Sequence, residues 1–144
     1  MPFASKLGLL SGSFIALGLL ASLPVHAAAC HRYDERVVLE GSVVRKTFPG
    51  PPNYESVADG DKAVTLFVLH LAQPTCFEPE DKTDSLYESA YDVADIQLVL
   101  PSEQAYAKLR PLLGKPVRLA GSAFGQHTGG HFTPVLLEKV ELLP

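Results

Sequence analysis

Between residues 117 and 124 apolar and polar positions alternate. Val117, Leu119, Gly121 and Ala123 fall on one side, and Arg118, Ala120, Ser122 and Phe124 on the other. A period of two marks a half-buried strand. Val135, Leu136 and Leu137 form a short apolar run, which Val140 and Leu142 continue by alternation around Glu138, Lys139 and Glu141. This predicts a second strand, buried at one end and half solvated at the other. Upstream, residues 37–48 alternate in the same way, with Val37, Leu39 and Val43 opposed to Glu40, Ser42 and Lys46. Gly41 stands mid-strand, where glycine marks a bulge or a sharp bend. Leu39-Glu40-Gly41-Ser42 resembles Leu119-Ala120-Gly121-Ser122, which suggests one bend used twice rather than a repeat. Residues 64–71 are apolar on both faces apart from Thr65 and His70, as expected of a strand covered on both sides. His70 reads as a structural histidine. Residues 96–100 form the third strand in chain order.

One segment changes period. Ser102 is a good N-cap, Glu103 suits the positive end of the helix dipole, and Tyr106, Leu109 and Leu113 recur at helical spacing. Pro111 should distort the last turn, and Gly114 is a natural residue just past the helix end. The order is then strand, strand, strand, short helix, strand, strand. That order predicts a mainly β fold: a small five-stranded OB-like Greek-key barrel with one short helix between strands three and four. A β-sandwich would need about seven strands.

Two connections stand out from the pattern. Phe48-Pro49-Gly50-Pro51-Pro52-Asn53-Tyr54-Glu55-Ser56 contains three prolines, so no hydrogen-bonded ladder can run through it. Tyr54 within it suits a lid over the barrel end or a stacking face. Asp59-Gly60-Asp61-Lys62 follows as a second turn. The other connection, Gly125-Gln126-His127-Thr128-Gly129-Gly130-His131-Phe132-Thr133, is longer than a tight turn requires. In an OB-fold the loops joining strands one to two and four to five flank the binding face. These two segments should therefore converge. Residues 78–95 carry seven acidic residues, including Glu78, Glu80, Asp81, Glu88, Asp92 and Asp95, against Lys82 alone. They read as a solvated acidic loop tacked down by Leu86, Tyr87, Tyr91 and Val93. Their spacing does not match a calcium-binding loop.

Composition adds a compartment. Lys6 followed by the apolar stretch 7–23, and small residues around Val25-His26-Ala27-Ala28-Ala29, predict a secretory signal peptide over residues 1–29. Residues 30–144 remain as one domain, long enough for a modest core, and a monomer is expected. The whole chain has a formal charge of −4, and the mature part is one unit more negative because Lys6 is the only charge removed. Nucleic acid wants a basic stripe, so it is an unsuitable partner. Cys30 and Cys76 both follow the predicted cut and read as one disulfide in an oxidising compartment. A lipid anchor at Cys30 is disfavoured, because Ala27 stands where a lipoprotein signal normally has Leu and Cys76 would be left as a free thiol. Localisation is expected to be periplasmic or secreted, with no transmembrane anchor in the mature form.

The proline-rich segment and His127-Thr128-Gly129-Gly130-His131-Phe132-Thr133-Pro134-Val135-Leu136-Leu137 together resemble a family of small secreted bacterial domains known only as a domain of unknown function. The resemblance runs from Cys30 to the C-terminus. In relatives the second motif tends to read His-Thr-Gly-His-His-His-Thr, whereas this chain has Gly130 and Phe132 at two of those histidine positions. The resemblance implies a cell-envelope context, since the family sometimes accompanies lysozyme-inhibitor-like domains, and implies no activity.

These features point to a non-catalytic binding module for an envelope protein or glycan, as an inhibitor or accessory protein. The candidate ligand-binding residues are Phe48, Asn53, Tyr54, His127, Thr128, His131 and Thr133. No cofactor is expected. One alternative is a divalent-metal protein using His127 and His131, although two imidazoles fall short of the three or four ligands zinc wants. Another is an uncharacterised hydrolase, but neither G-x-S-x-G nor H-E-x-x-H is present. His127 and His131 equally suit bracing of a glycine-rich hairpin.

Overall fold

A computed structural model describes residues 1, 29–83 and 86–144. The predicted signal peptide, apart from its first and last residues, lies outside the described residues. Six strands and one short helix follow in order: β1 (His31–Arg32), β2 (Arg36–Pro49), β3 (Ala63–Glu78), β4 (Ala90–Leu98), α1 (Glu103–Leu109), β5 (Pro116–Gly125) and β6 (Val135–Leu143). A 3-10 turn, Arg110–Leu112, extends the helix.

The strands β3-β2-β5-β6-β4 are neighbours in that order, and β4 pairs back onto β3, which closes a five-stranded barrel. The β4–β6 pairing is parallel and the other barrel pairings are antiparallel. This is the Greek-key arrangement of an OB-like barrel, as the order of elements predicted. The short β1 adds a sixth strand, parallel to β3 at Phe77 and Glu78.

Gly41 is where β2 changes partners. It pairs with β5 from Arg36 to Ser42 and with β3 from Gly41 to Pro49. A side chain at Gly41 would strike the His70 carbonyl, so the close approach of the two strands requires glycine. At Gly121 the β5–β6 register slips. The two similar glycine segments thus do different jobs, a partner switch and a bulge.

The barrel interior holds Val37, Leu39, Val43, Phe67, Leu69, Ile96, Leu98, Val117, Leu119, Ala123, Val135 and Leu137. α1 closes one end, with Leu109 buried and Tyr106 edge-on to Phe67 at 5.1 Å. Ser102 caps it, its hydroxyl accepting from the Ala105 N–H. Gly114 takes a φ of 76° just after the 3-10 turn.

Three expectations need correction. The third barrel strand does not begin at residue 96: β4 starts at Ala90, and β3 runs past Cys76 to Glu78. Residues 90–95 of the supposed acidic loop are therefore strand, and the loop itself is confined to 79–89. That strand was hidden because the β3–β4 register breaks between His70 and Thr75 and again before Phe77, and Asp92 takes a φ of 52°. Bulged pairing scrambles the alternation that sequence reading depends on. Leu86 does not tack the segment down, being 72% exposed; Tyr91 is also exposed, but its hydroxyl donates to Glu78 Oε1 on β3 at 2.8 Å. Tyr87 and Val93 do pack inward.

Cys30 and Cys76 form a disulfide with Cα atoms 4.7 Å apart. It fastens β1 to β3, two residues that could not hold a strand alone. Among the described residues no helix is long and apolar enough to cross a membrane.

Candidate functional site

Directly opposed residues on paired strands share a face. Val68, Gln97, Leu136 and Phe124 are successive partners across β3, β4, β6 and β5. Val68, Gln97 and Leu136 are all buried, yet none belongs to the interior cluster. They lie on the outside of the barrel wall, and the loop 126–134 folds back over Gln97 as a roof.

Gln97 fastens that roof. Its Nε2 donates to the Gly130 carbonyl at 3.0 Å, and its Oε1 accepts from the Phe132 N–H at 2.8 Å. Its backbone N–H donates to Thr133 Oγ1 at 2.9 Å, and that hydroxyl donates to the Val135 carbonyl. At 6% exposure the Gln97 side chain has both ends of its amide satisfied by the loop. Thr133 is buried with its proton already committed, so this candidate serves the wall.

The two histidines brace the same loop through the backbone. His127 Nδ1 lies 3.0 Å from the Gly125 carbonyl. A carbonyl only accepts, so this nitrogen carries a proton and Nε2 is left with the lone pair in the neutral ring. His131 Nδ1 accepts from the His127 N–H at 3.2 Å, which puts its own proton on Nε2. The rings meet edge to face at 4.5 Å, and both pack on Phe124. Burial and the neighbouring His127 push the pKa of His131 below its ordinary value. The pair therefore does not present two free lone pairs at once. Among the described residues no group of three or more His, Cys, Asp or Glu side chains is placed to hold a metal.

The proline-rich lobe meets this loop. Phe132 stacks on Phe48 at 5.2 Å and lies 6.3 Å from Tyr54. A Cβ on Gly129 would come 3.2 Å from the Tyr54 ring and hydroxyl, so the tip of one loop lies against the tyrosine of the other. Tyr54 takes a φ of 60°, a conformation that bulky residues rarely adopt. Asp61 holds it there. One carboxylate accepts from the backbone N–H groups of Asn53, Glu55 and Ser56 at 2.7–2.9 Å. Those bonds keep Asp61 below the ordinary carboxylate range, against a smaller opposing push from burial. Tyr54 is 46% exposed; it stands at the edge of the rim rather than lying across the barrel as a lid.

Phe48, Asn53, Tyr54, His127, Thr128 and His131 thus gather along one rim. Sequence reading missed Gln97, Asp61 and Phe124. Gln97 was passed over within the strand 96–100, and Asp61 was absorbed into a turn. Their partners are backbone groups that no motif announces.

Beside the rim, burial and the nearby carboxylates of Asp34 and Glu138 push the Tyr87 phenol up. Tyr87 packs 5.6 Å from His127 and 5.2 Å from Tyr33. Tyr33 donates to the Glu88 carbonyl at 3.0 Å, and burial pushes its phenol up to about 12. The acidic segment is thereby docked beside the histidine loop.

Residues 95–142 match a family described as "Domain of unknown function (DUF4431)". The matched stretch includes Gln97 and the histidine loop but not the proline-rich lobe, so it supports an unknown-function family over the C-terminal part of the barrel. Compared with curated proteins and with solved structures, the chain matches none.

Proposed function

We propose that this chain is a non-catalytic binding module of the cell envelope, periplasmic or secreted, which takes a protein or glycan partner at the rim between the loops 50–62 and 126–134. The observation that carries this reading is Tyr54, an exposed aromatic kept in a left-handed conformation by a dedicated carboxylate and laid against the tip of the other loop. Strain of this kind persists only where the surroundings enforce it, and it clusters at binding sites. The disulfide fits an oxidising compartment. The net negative charge suits a basic partner, such as a cell-wall hydrolase that the module would inhibit or accompany, because opposite charge speeds encounter.

The test uses the mature protein on purified peptidoglycan and on lysozyme as a model basic hydrolase. The expected result is retention on one of them, weakened about tenfold or more by Tyr54→Ala at unchanged melting temperature. If lysozyme is the ligand, retention also falls as salt rises from about 0.05 M to 0.5 M. Retention on neither, or full retention by the Tyr54→Ala variant, would overturn the proposal.

A further inference from the structure

At the other end of β5 and β6 from the histidine loop lies a cavity of about 760 Å³. It arises from the fold. On the N-terminal side of Gly41, strand β2 stays with β5 only, while β3 runs on past Leu71 to Ala72, so the wall parts. Leu71, Leu112, Val117, Leu142 and Leu143 make its lining mainly apolar. Its volume lies within the range of about 300–1,000 Å³ typical of small-molecule sites.

The mouth has a different chemistry. Ser42 and His70 are directly opposed partners on β2 and β3, and both line the cavity. His70 is oriented from behind: its Nδ1 lies 2.9 Å from Asp95 Oδ1, and Lys46 binds the other oxygen of the same carboxylate. On the adjoining β2–β5 ladder Arg118 pairs with Glu40 at 3.0 Å, with both side chains more than half exposed, and both line the cavity. Such a pair is weak, and a guanidinium has five donors, so most of them remain for a ligand. Hydroxyl, imidazole and guanidinium thus all line the same mainly apolar trough.

We propose that this cavity is a second binding site, separate from the rim, for a linear amphiphile with a carboxylate head: the chain along Leu71, Leu112, Val117, Leu142 and Leu143, the head at Arg118, Ser42 and His70. A carboxylate matches the planar fork of Arg118. A quaternary ammonium head would face Arg118 without a counter-charge other than the already paired Glu40.

The experiment is displacement of a fluorescent fatty-acid probe, 11-(dansylamino)undecanoic acid, from the mature protein. Competitors are dodecanoate, dodecanol and dodecyltrimethylammonium, each below its micelle concentration. Dodecanoate should displace the probe at least about tenfold better than either of the others. Arg118→Gln should weaken dodecanoate about tenfold and leave dodecanol unchanged. Leu142→Asp, at an exposed cavity residue, should weaken all ligands without unfolding the protein, as read by circular dichroism. Tyr54→Ala should change nothing. No probe binding, equal displacement by all three heads, or binding unaffected by both cavity variants would overturn the assignment. Loss of binding in Tyr54→Ala would place the ligand at the rim instead, and equally sink it.

Discussion

Asp61 and His131 respond to acid for different reasons. The folded chain holds the Asp61 carboxyl below its ordinary value of 3.8, so the unfolded chain takes up the proton first. Its contribution to stability is complete above that value and is lost as pH falls through the lower folded value. Asp61→Asn removes the charge and leaves one acceptor for three donors. The expected result is a lower melting temperature at neutral pH, less acid sensitivity below about pH 4, and faster amide exchange at Asn53, Glu55 and Ser56. His131 is also held below its ordinary value, 6.5. Protonation again favours the unfolded chain, so stability falls as pH drops through that value and levels off below the folded one. In His131→Asn, which keeps an acceptor for the His127 N–H, that component of the pH slope should vanish. Denaturant melts of both proteins between about pH 5 and 8 check it.

At the scale of elements, the loop 126–134 and strand β4 behave as one piece through Gln97. Gln97→Ala removes the partner of the half-buried Phe132 N–H and of the carbonyl of Gly130, an exposed residue that water can reach. An unsatisfied buried group costs about 1–3 kcal/mol, so a loss of about 1–3 kcal/mol, mostly from Phe132, is expected in chemical denaturation, with exchange rising first at Phe132. Gln97→Leu keeps the volume and should destabilise comparably, because the missing partners are polar. Much of this element structure was legible beforehand. Alternation in 37–48, 117–124 and 135–142 reported the strands, and Ser102 with Tyr106 and Leu109 reported the helix, because each is set by local periodicity. The strand beginning at Ala90 was not legible, since its pairing with β3 is broken by bulges. That the outer face is covered was legible, since 64–71 is apolar on both sides and 135–137 is an unbroken apolar run, but the amide of Gln97 that fastens the covering loop was not. The convergence of the two loops was readable only through topology: once the order of strands implied an OB-like barrel, Tyr54 and the histidines had to share an end.

At the scale of the molecule, closure of the barrel and the single cross-link do separate work. The disulfide joins residues 46 apart in sequence, for which the chain-entropy model gives about 4 kcal/mol. Reduction should lower the unfolding free energy by about that much while β2 to β6 remain paired in the native state. A Cys30→Ser, Cys76→Ser variant should therefore still fold, with exchange protection lost first at His31 and Arg32; global unfolding of that variant at room temperature would show that β1 is integral to the barrel.

The fastening of one amide to both sides of the histidine loop also limits how this scaffold can be engineered. A display library built on it could randomise residues 127, 128 and 130 and the facing positions 53–55, since a side chain at Gly130 would meet nothing closer than the Thr128 hydroxyl at 4.0 Å. Varying Phe132 or Thr133 would remove the ring stacked on Phe48 and the hydroxyl bonded to β4, strip the cladding from Gln97, and leave a greasy wall open to aggregation.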